Sequence, residues 1–226
     1  MEADFNHSNK EIFGKRTLDN VRKHGLVPEE MYSEGGKVPG DGTLAKVIFN
    51  NVVRQTRLSA GVESVDAANC YNSVAHTIAS LTCQAFGVPA EVVYLMITTI
   101  EDMKYYLRRT YGDSKNFRGH KIAVKFQGLC QGNGAAPAGW AVISIVIIGA
   151  HKKKGHGGHF VCPISCRTGH LSTILFVDDN DLVHVDMRKD QSVDEATHDL
   201  QRSIGSRGQL LLASGGSLKP ESSFST

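Results

Sequence analysis

Residues 176–181, FVDDND, lie between two short runs in which apolar and polar side chains alternate, and this stretch constrains the fold more than any other. In extended chain, successive side chains point to opposite faces. Leu171, Thr173, Leu175 and Val177 therefore share one face and Ser172, Ile174 and Phe176 the other, while Val183, Val185 and Met187 alternate with Leu182, His184 and Asp186. The pattern predicts a β-hairpin with acids at its bend. Asp and Asn suit tight turns because they bond their own backbone and tolerate left-handed dihedrals, so a plain polar turn accounts for part of the signal. Asp178 and Asp179 repel each other, however, and a hairpin tip that holds them side by side favours a divalent cation with hard oxygen ligands.

Taken in order, the first 30 residues are polar and weakly periodic, which predicts a loosely packed arm, with the folded unit over 31–226. Leu44, Val47, Ile48 and Val52 recur at helical spacing and predict a helix over 43–57 with Lys46, Arg54 and Arg57 on its far side. Residues 61–66, GVESVD, alternate and end in Asp66, as a strand would. Val74, Ile78, Leu81 and Ala85 then mark one face of a helix that stops at the Gly87-Val88-Pro89 terminator. Val92, Val93, Met96, Ile100, Met103 and Leu107 predict a longer helix over 90–110, ending in the basic and aromatic cluster Lys104, Tyr105, Tyr106, Arg108 and Arg109. Such a cluster suits base stacking and phosphate contact, or simply complements a helix C-terminus. A polar loop over 111–120 and a strand over 121–126 follow.

The segment GLCQGNGAAP, residues 128–137, runs directly into an apolar stretch over 140–150. Its three glycines let another molecule approach the backbone at a helix start, where negative charge is favoured. It lacks the Gly-Lys-Ser/Thr ending of a P-loop. The apolar stretch is about half of the ~20 residues that a membrane span needs, which predicts a buried helix and no membrane partner. His156, His159, Cys162, Cys166 and His170 carry donors at spacings that a zinc site uses, without the usual short Cys-x2-Cys pair. Ser192-Val193-Asp194-Glu195 fits a capping box that opens a helix through Ala196, Leu200 and Ile204.

Composition sets the outer bounds. A chain of 226 residues with 41% hydrophobic and 21% charged residues can bury one sizeable core. A formal net charge of +2 supplies no global basic field, so any phosphate binding must come from local patches. The five cysteines, odd in number and irregular in spacing, favour reduced thiols in a cell interior, cytoplasm or nucleus.

Three features then converge: an acid at a strand end, Asp66, with Tyr71 five residues on; a Gln-Gly turn opening a helix; and a double-acid hairpin. A template-directed polymerase needs this combination, since two cations held by carboxylates from different strands activate the primer hydroxyl and neutralise the departing pyrophosphate. The ordered set VDAANCYNSVAH, GLCQGNGAAP, ILFVDDNDL and ASGGSLKPES resembles the palm of a reverse transcriptase, an RNA-directed DNA polymerase, in the style of retrotransposons and particularly of diatom-type retroelements. The resemblance runs from about Leu26 onward. It implies an α+β fold, a polymerase palm whose antiparallel sheet is covered by helices, with partial fingers and no thumb. It further implies that Asp66 and Asp178 bridge two Mg²⁺ ions with Asp179 assisting, and that Tyr71 lies at the sugar-discriminating position. Gln131 and Gly132 would line the nucleotide and template side, and Gly215-Gly216 would pack beside the incoming triphosphate. The implied partners are an RNA template, a DNA primer, deoxynucleoside triphosphates and the remainder of a retroelement polyprotein.

The chain also departs from that pattern. Asn72 stands where the family usually has a second Asp, Ala136 where a Ser often precedes the Pro, and Ser222 where a Lys usually faces the leaving pyrophosphate. No Arg-Pro-Ile type fingers motif and no RNase H, integrase or endonuclease signature is present. The alternative expectation is a decayed retroelement fragment that retains nucleic-acid binding without catalysis.

Overall fold

A computed structural model describes residues 3–34, 36–118, 127–161, 165–186, 192–219 and 224–225. Its first element corrects the expectation of a loose N-terminal arm. Helix α1 (Ala3–Ser8), a π-helical turn over Asn9–Lys15 and α2 (Arg16–Lys23) run on from one another, and Phe13, Thr17 and Val21 are buried. A few apolar residues in a polar segment suffice, because they enter a core built by the rest of the chain.

Helix α3 (Pro39–Thr56) starts at Val38, whose backbone N–H donates to Asp41 Oδ2 at 2.8 Å, with proline in the first turn. Strand β1 (Ser59–Asp66) follows. The single helix expected next is broken into α4 (Cys70–Ser73) and α5 (His76–Ala85). The break has a backbone cause: Ala75 N–H donates to Ser214 O at 2.8 Å, taking it out of a continuous helical ladder. The face shifts too, since Ala79, Thr82 and Cys83 are buried and Leu81 is exposed. Helix α6 (Ala90–Glu101) ends about two turns before its expected limit. Its basic and aromatic tail instead forms β2 (Tyr105–Arg109), paired antiparallel with β3 (Gly112–Arg118) where a loop was expected. Tyr105 and Tyr106 suit a pleated surface better than a helix, and Gly112, at φ +116°, supplies the turn. The strand expected over 121–126 lies outside the described residues.

Helix α7 (Ala136–Lys153) is buried on nearly every side, as its continuous apolar run requires. Strands β4 (Gly158–Val161) and β5 (Thr168–Leu171) form a separate hairpin, and β6 (Thr173–Phe176) and β7 (Asp179–Asp186) form the acid-tipped one. Helix α8 (Val193–Ala213) opens with the expected capping box, in which Glu195 N–H donates to Ser192 Oγ and Ser192 N–H to Glu195 Oε2. Strand β8 (Phe224–Ser225) completes an antiparallel sheet in the order β6-β7-β1-β8.

One face of this sheet is covered by α7 and α8. Leu175 packs with Ile148 and Ala141, and Leu200 sits against Gly61. The opposite face carries Val62, Val183 and Val185 under Phe49 of α3. Helix α3 covers only part of that face, and the end bearing Asp66 and Asp179 opens into a cleft of about 540 Å³. The architecture is α+β, as expected. Among the described residues no helix is long and apolar enough to cross a membrane.

Candidate active site

The period of two in β1 puts Val62, Ser64 and Asp66 on the cleft face, and the β1–β7 register sets Ser64 opposite Asp181 and Asp66 opposite Asp179. Residues so opposed have Cβ atoms about 4.5–5.5 Å apart, and like charges there are destabilising unless something compensates. Asp181 is compensated within the chain: Ser64 Oγ donates to its Oδ1, and Lys46 of α3 lies 2.7 Å from its Oδ2. Lys46 is thus drawn into the cleft rather than lying on a solvated helix face.

Asp178 occupies the turn between β6 and β7. The left-handed residue of that turn is Val177 at φ +59°, not an acid. A β-branched residue rarely adopts this dihedral, which costs about 1–3 kcal/mol and persists only where the surroundings dictate it. Here the dictating groups are visible: Trp140 Nε1 donates to Val177 O at 2.8 Å, and the Val177 side chain packs on the main core. Trp140, read from sequence only as core, therefore fixes the backbone that presents Asp178 and Asp179. Its indole in turn meets the ring of Tyr71 edge-on, with centroids 6.5 Å apart.

Asp66 is engaged on one side by Lys219. The ammonium bonds Asp66 Oδ2, and Lys219 N–H donates to Asp66 O at 2.9 Å. Asp66 Oδ1 is buried and has no hydrogen-bond partner. The carboxyl of Asp179 titrates above its ordinary range, first because of partial desolvation and then because Asp178, Asp66 and Asp181 repel its charge, with Lys219 opposing. An unpartnered carboxylate oxygen beside crowded acids is the donor chemistry that a hard divalent cation takes. Among the described residues, however, no three His, Cys, Asp or Glu side chains converge on one point. Lys219 was missed in the sequence because nothing local links it to an acid 153 positions away.

The expected nucleotide-side residues are brought together by two interlocked turns. Gly128 N–H donates to Val74 O and Leu129 N–H to Tyr71 O, at 2.7 and 2.6 Å. Asn72 Oδ1 accepts from Gln131 N–H at 3.0 Å, and His76 bridges Gly128 O and Glu101. Tyr71 thereby stands near the hairpin tip, where burial first, then Cys70 and Asp178, hold its phenol above the ordinary range. The glycine-rich loop needs a correction. A Cβ on Gly128 would fall 2.4 Å from Asn72 Cα, and one on Gly134 would fall 2.5 Å from Asn6 O, so these two admit the chain's own backbone. Only Gly132, at φ +93° with nothing within 4 Å, leaves space for another molecule. Gly215 likewise packs on the chain itself, against Ser73 O and Ala75 N.

The donors considered for zinc are only partly gathered. His159 and His170 face each other across β4–β5 with ring centroids 4.5 Å apart, while His156 stacks on His151 and Cys166 is exposed. Cys162 and Ser222 lie outside the described residues.

Comparison with known proteins addresses the fold. No protein-family model matches the sequence, and no curated protein does. Solved structures do match. Telomerase from Candida albicans, in complex with a TWJ fragment of telomeric RNA, superposes with a TM-score of 0.57 at 10% identity over 99% of this chain. Telomerase from Candida tropicalis bound to such a fragment gives 0.59 at 11% identity over 99%, and the apo form 0.60 at 10% over 98%. The chain spans 35–36% of the length of those proteins. The class defined by this likeness is an α+β, polymerase-like fold. Its named examples here are telomerases, with which the chain shares the fold.

Proposed function

We propose that this chain is the palm of a retroelement reverse transcriptase, which extends a DNA primer with deoxynucleoside triphosphates on an RNA template. The observation that carries the reading is the in-register opposition of Asp66 and Asp179 beside Asp178, on a turn held in a strained conformation by Trp140. The likeness in fold to telomerase supports it. Asp66, Asp178 and Asp179 would hold two Mg²⁺ ions, which when bound favour ionisation of the primer hydroxyl and offset the charge of the departing pyrophosphate. The chain's own residues do the placing. Trp140 fixes the acid-bearing turn, Tyr71 presents an aromatic wall beside it that limits bulk at the sugar, and Gln131 and Gly132 leave an open backbone turn toward the nucleotide and template.

The test is primer extension on an RNA template with Mg²⁺ and deoxynucleotides, run beside Asp178→Asn. Extension by the wild type that disappears in the variant is expected. A second reading, a decayed fragment that only binds nucleic acid, draws on the lack of three converging carboxylates among the described residues. Salt-sensitive binding without extension would establish that reading and overturn the first.

A further inference from the structure

Lys219 is built into the carboxylate site as an internal counter-cation, and we propose that a divalent ion enters only by displacing its ammonium from Asp66. The inference rests on the metal-binding reading above. The lysine is delivered to the acid by the backbone: Ala68 N–H donates to Ser217 O at 2.8 Å, Leu218 pairs with Ala67, and Lys219 N–H is fixed on Asp66 O. Segment 217–219 thus continues the pairing of β1 past its end. Only the side chain of Lys219, about half exposed, remains to move.

That side chain reaches a place where positive charge is required. Asp66 and Asp179 are directly opposed with Asp178 adjacent, and the charges of all three act on the Lys219 ammonium. Asp181, two residues further along the same face, has its own cation in Lys46, so Lys219 answers for the three at the tip. While it is bonded to Oδ2, Asp66 has one buried oxygen, Oδ1, to offer, and a second cation there would meet the ammonium at close range. A flexible, strongly hydrated lysine suits a contact that must be released; a bidentate arginine would hold on.

The experiment uses the full chain and Mn²⁺ alone. Mn²⁺ affinity, read by electron paramagnetic resonance, is expected to rise roughly fivefold in Lys219→Met, because a half-exposed ion pair no longer competes. Lys219→Arg, which keeps the charge, is expected to bind no more tightly than the wild type. In the wild type, Mn²⁺ is expected to increase amine labelling of Lys219 by mass spectrometry, a readout that needs no variant to fold. Unchanged or weaker Mn²⁺ binding in Lys219→Met, or labelling indifferent to Mn²⁺, together with binding lost in Asp66→Asn, would overturn the displacement and leave the metal site standing. Mn²⁺ binding that is absent, or indifferent to Asp66→Asn, would overturn both.

Discussion

Alanine at Gly128 would separate two roles that glycine plays in the 128–134 loop. Gly128 has φ +89°, and its added Cβ would lie 2.4, 2.5 and 2.6 Å from the Cα, C and O of Asn72. These are backbone atoms, held by the Gly128 N–H to Val74 O and Leu129 N–H to Tyr71 O bonds, so they cannot swing aside. Gly132 has nearly the same dihedral, φ +93°, with nothing within 4 Å. Gly132→Ala therefore measures dihedral strain alone, about 1 kcal/mol. Gly128→Ala adds an overpacking cost of about 1–3 kcal/mol, bringing its loss to about 3 kcal/mol. For a chain of this size that lowers the melting temperature by roughly 10 °C, against a total stability of about 5–15 kcal/mol. Urea unfolding of both variants beside the wild type measures the difference. Equal losses would refute the reasoning, because they would mean that Gly128 is required for its dihedral and that the turns bearing Tyr71 and Gln131 are not interlocked.

Two further outcomes are expected. Trp140→Phe keeps an aromatic ring at that position but removes the donor to Val177 O; it should cost about 1 kcal/mol in unfolding and reduce primer extension more than template binding, whereas unchanged extension would deny that the bond positions Asp178 and Asp179. His151 is buried, with Nε2 3.2 Å from Ser203 Oγ, and its imidazole is pushed down to about 3, first by burial and then by His156, Arg207 and Lys154. Between its ordinary value of 6.5 and about 3 the unfolded chain binds the extra proton, so the stability that neutral His151 contributes is present above 6.5 and lost as pH falls through this window. His151→Gln should flatten that part of the stability–pH curve; an unchanged slope would show that other groups set it.

The elements most legible in the sequence are those whose signal is local and strong. The alternation over residues 61–66 and on either side of Asp178 marked strands because a period of two admits no other buried face; the run expected from Leu171 is divided at Ser172, between β5 and β6. The apolar run over 140–150 specified a helix buried on nearly every side, and Ser192 with Glu195 specified where α8 begins. Asp66, Asp178 and Asp179 were offered as candidate site residues by the resemblance of the ordered motifs, with acids at strand and turn positions as the local signal. Where local patterns tied, tertiary structure chose. The apolar residues beyond Glu101 satisfy a helical period, yet Tyr105 and Tyr106 pair as a strand. The helix expected through residue 74 breaks because Ser214, 139 residues on, takes the N–H of Ala75.

What the sequence by itself determined is therefore the strand that ends in Asp66, the acid-bearing hairpin, the buried helix after the glycine-rich loop, the start of α8, and the carboxylates that the strands carry. Folding decided what those carboxylates face. The register that opposes Asp66 to Asp179, the strained Val177 held by Trp140, the glycines spent on the chain's own backbone and the lysine seated on Asp66 all join residues far apart in sequence. Periodicity and propensity act over a few neighbouring residues, whereas these contacts depend on how whole elements are packed, and so only the tertiary structure could specify them.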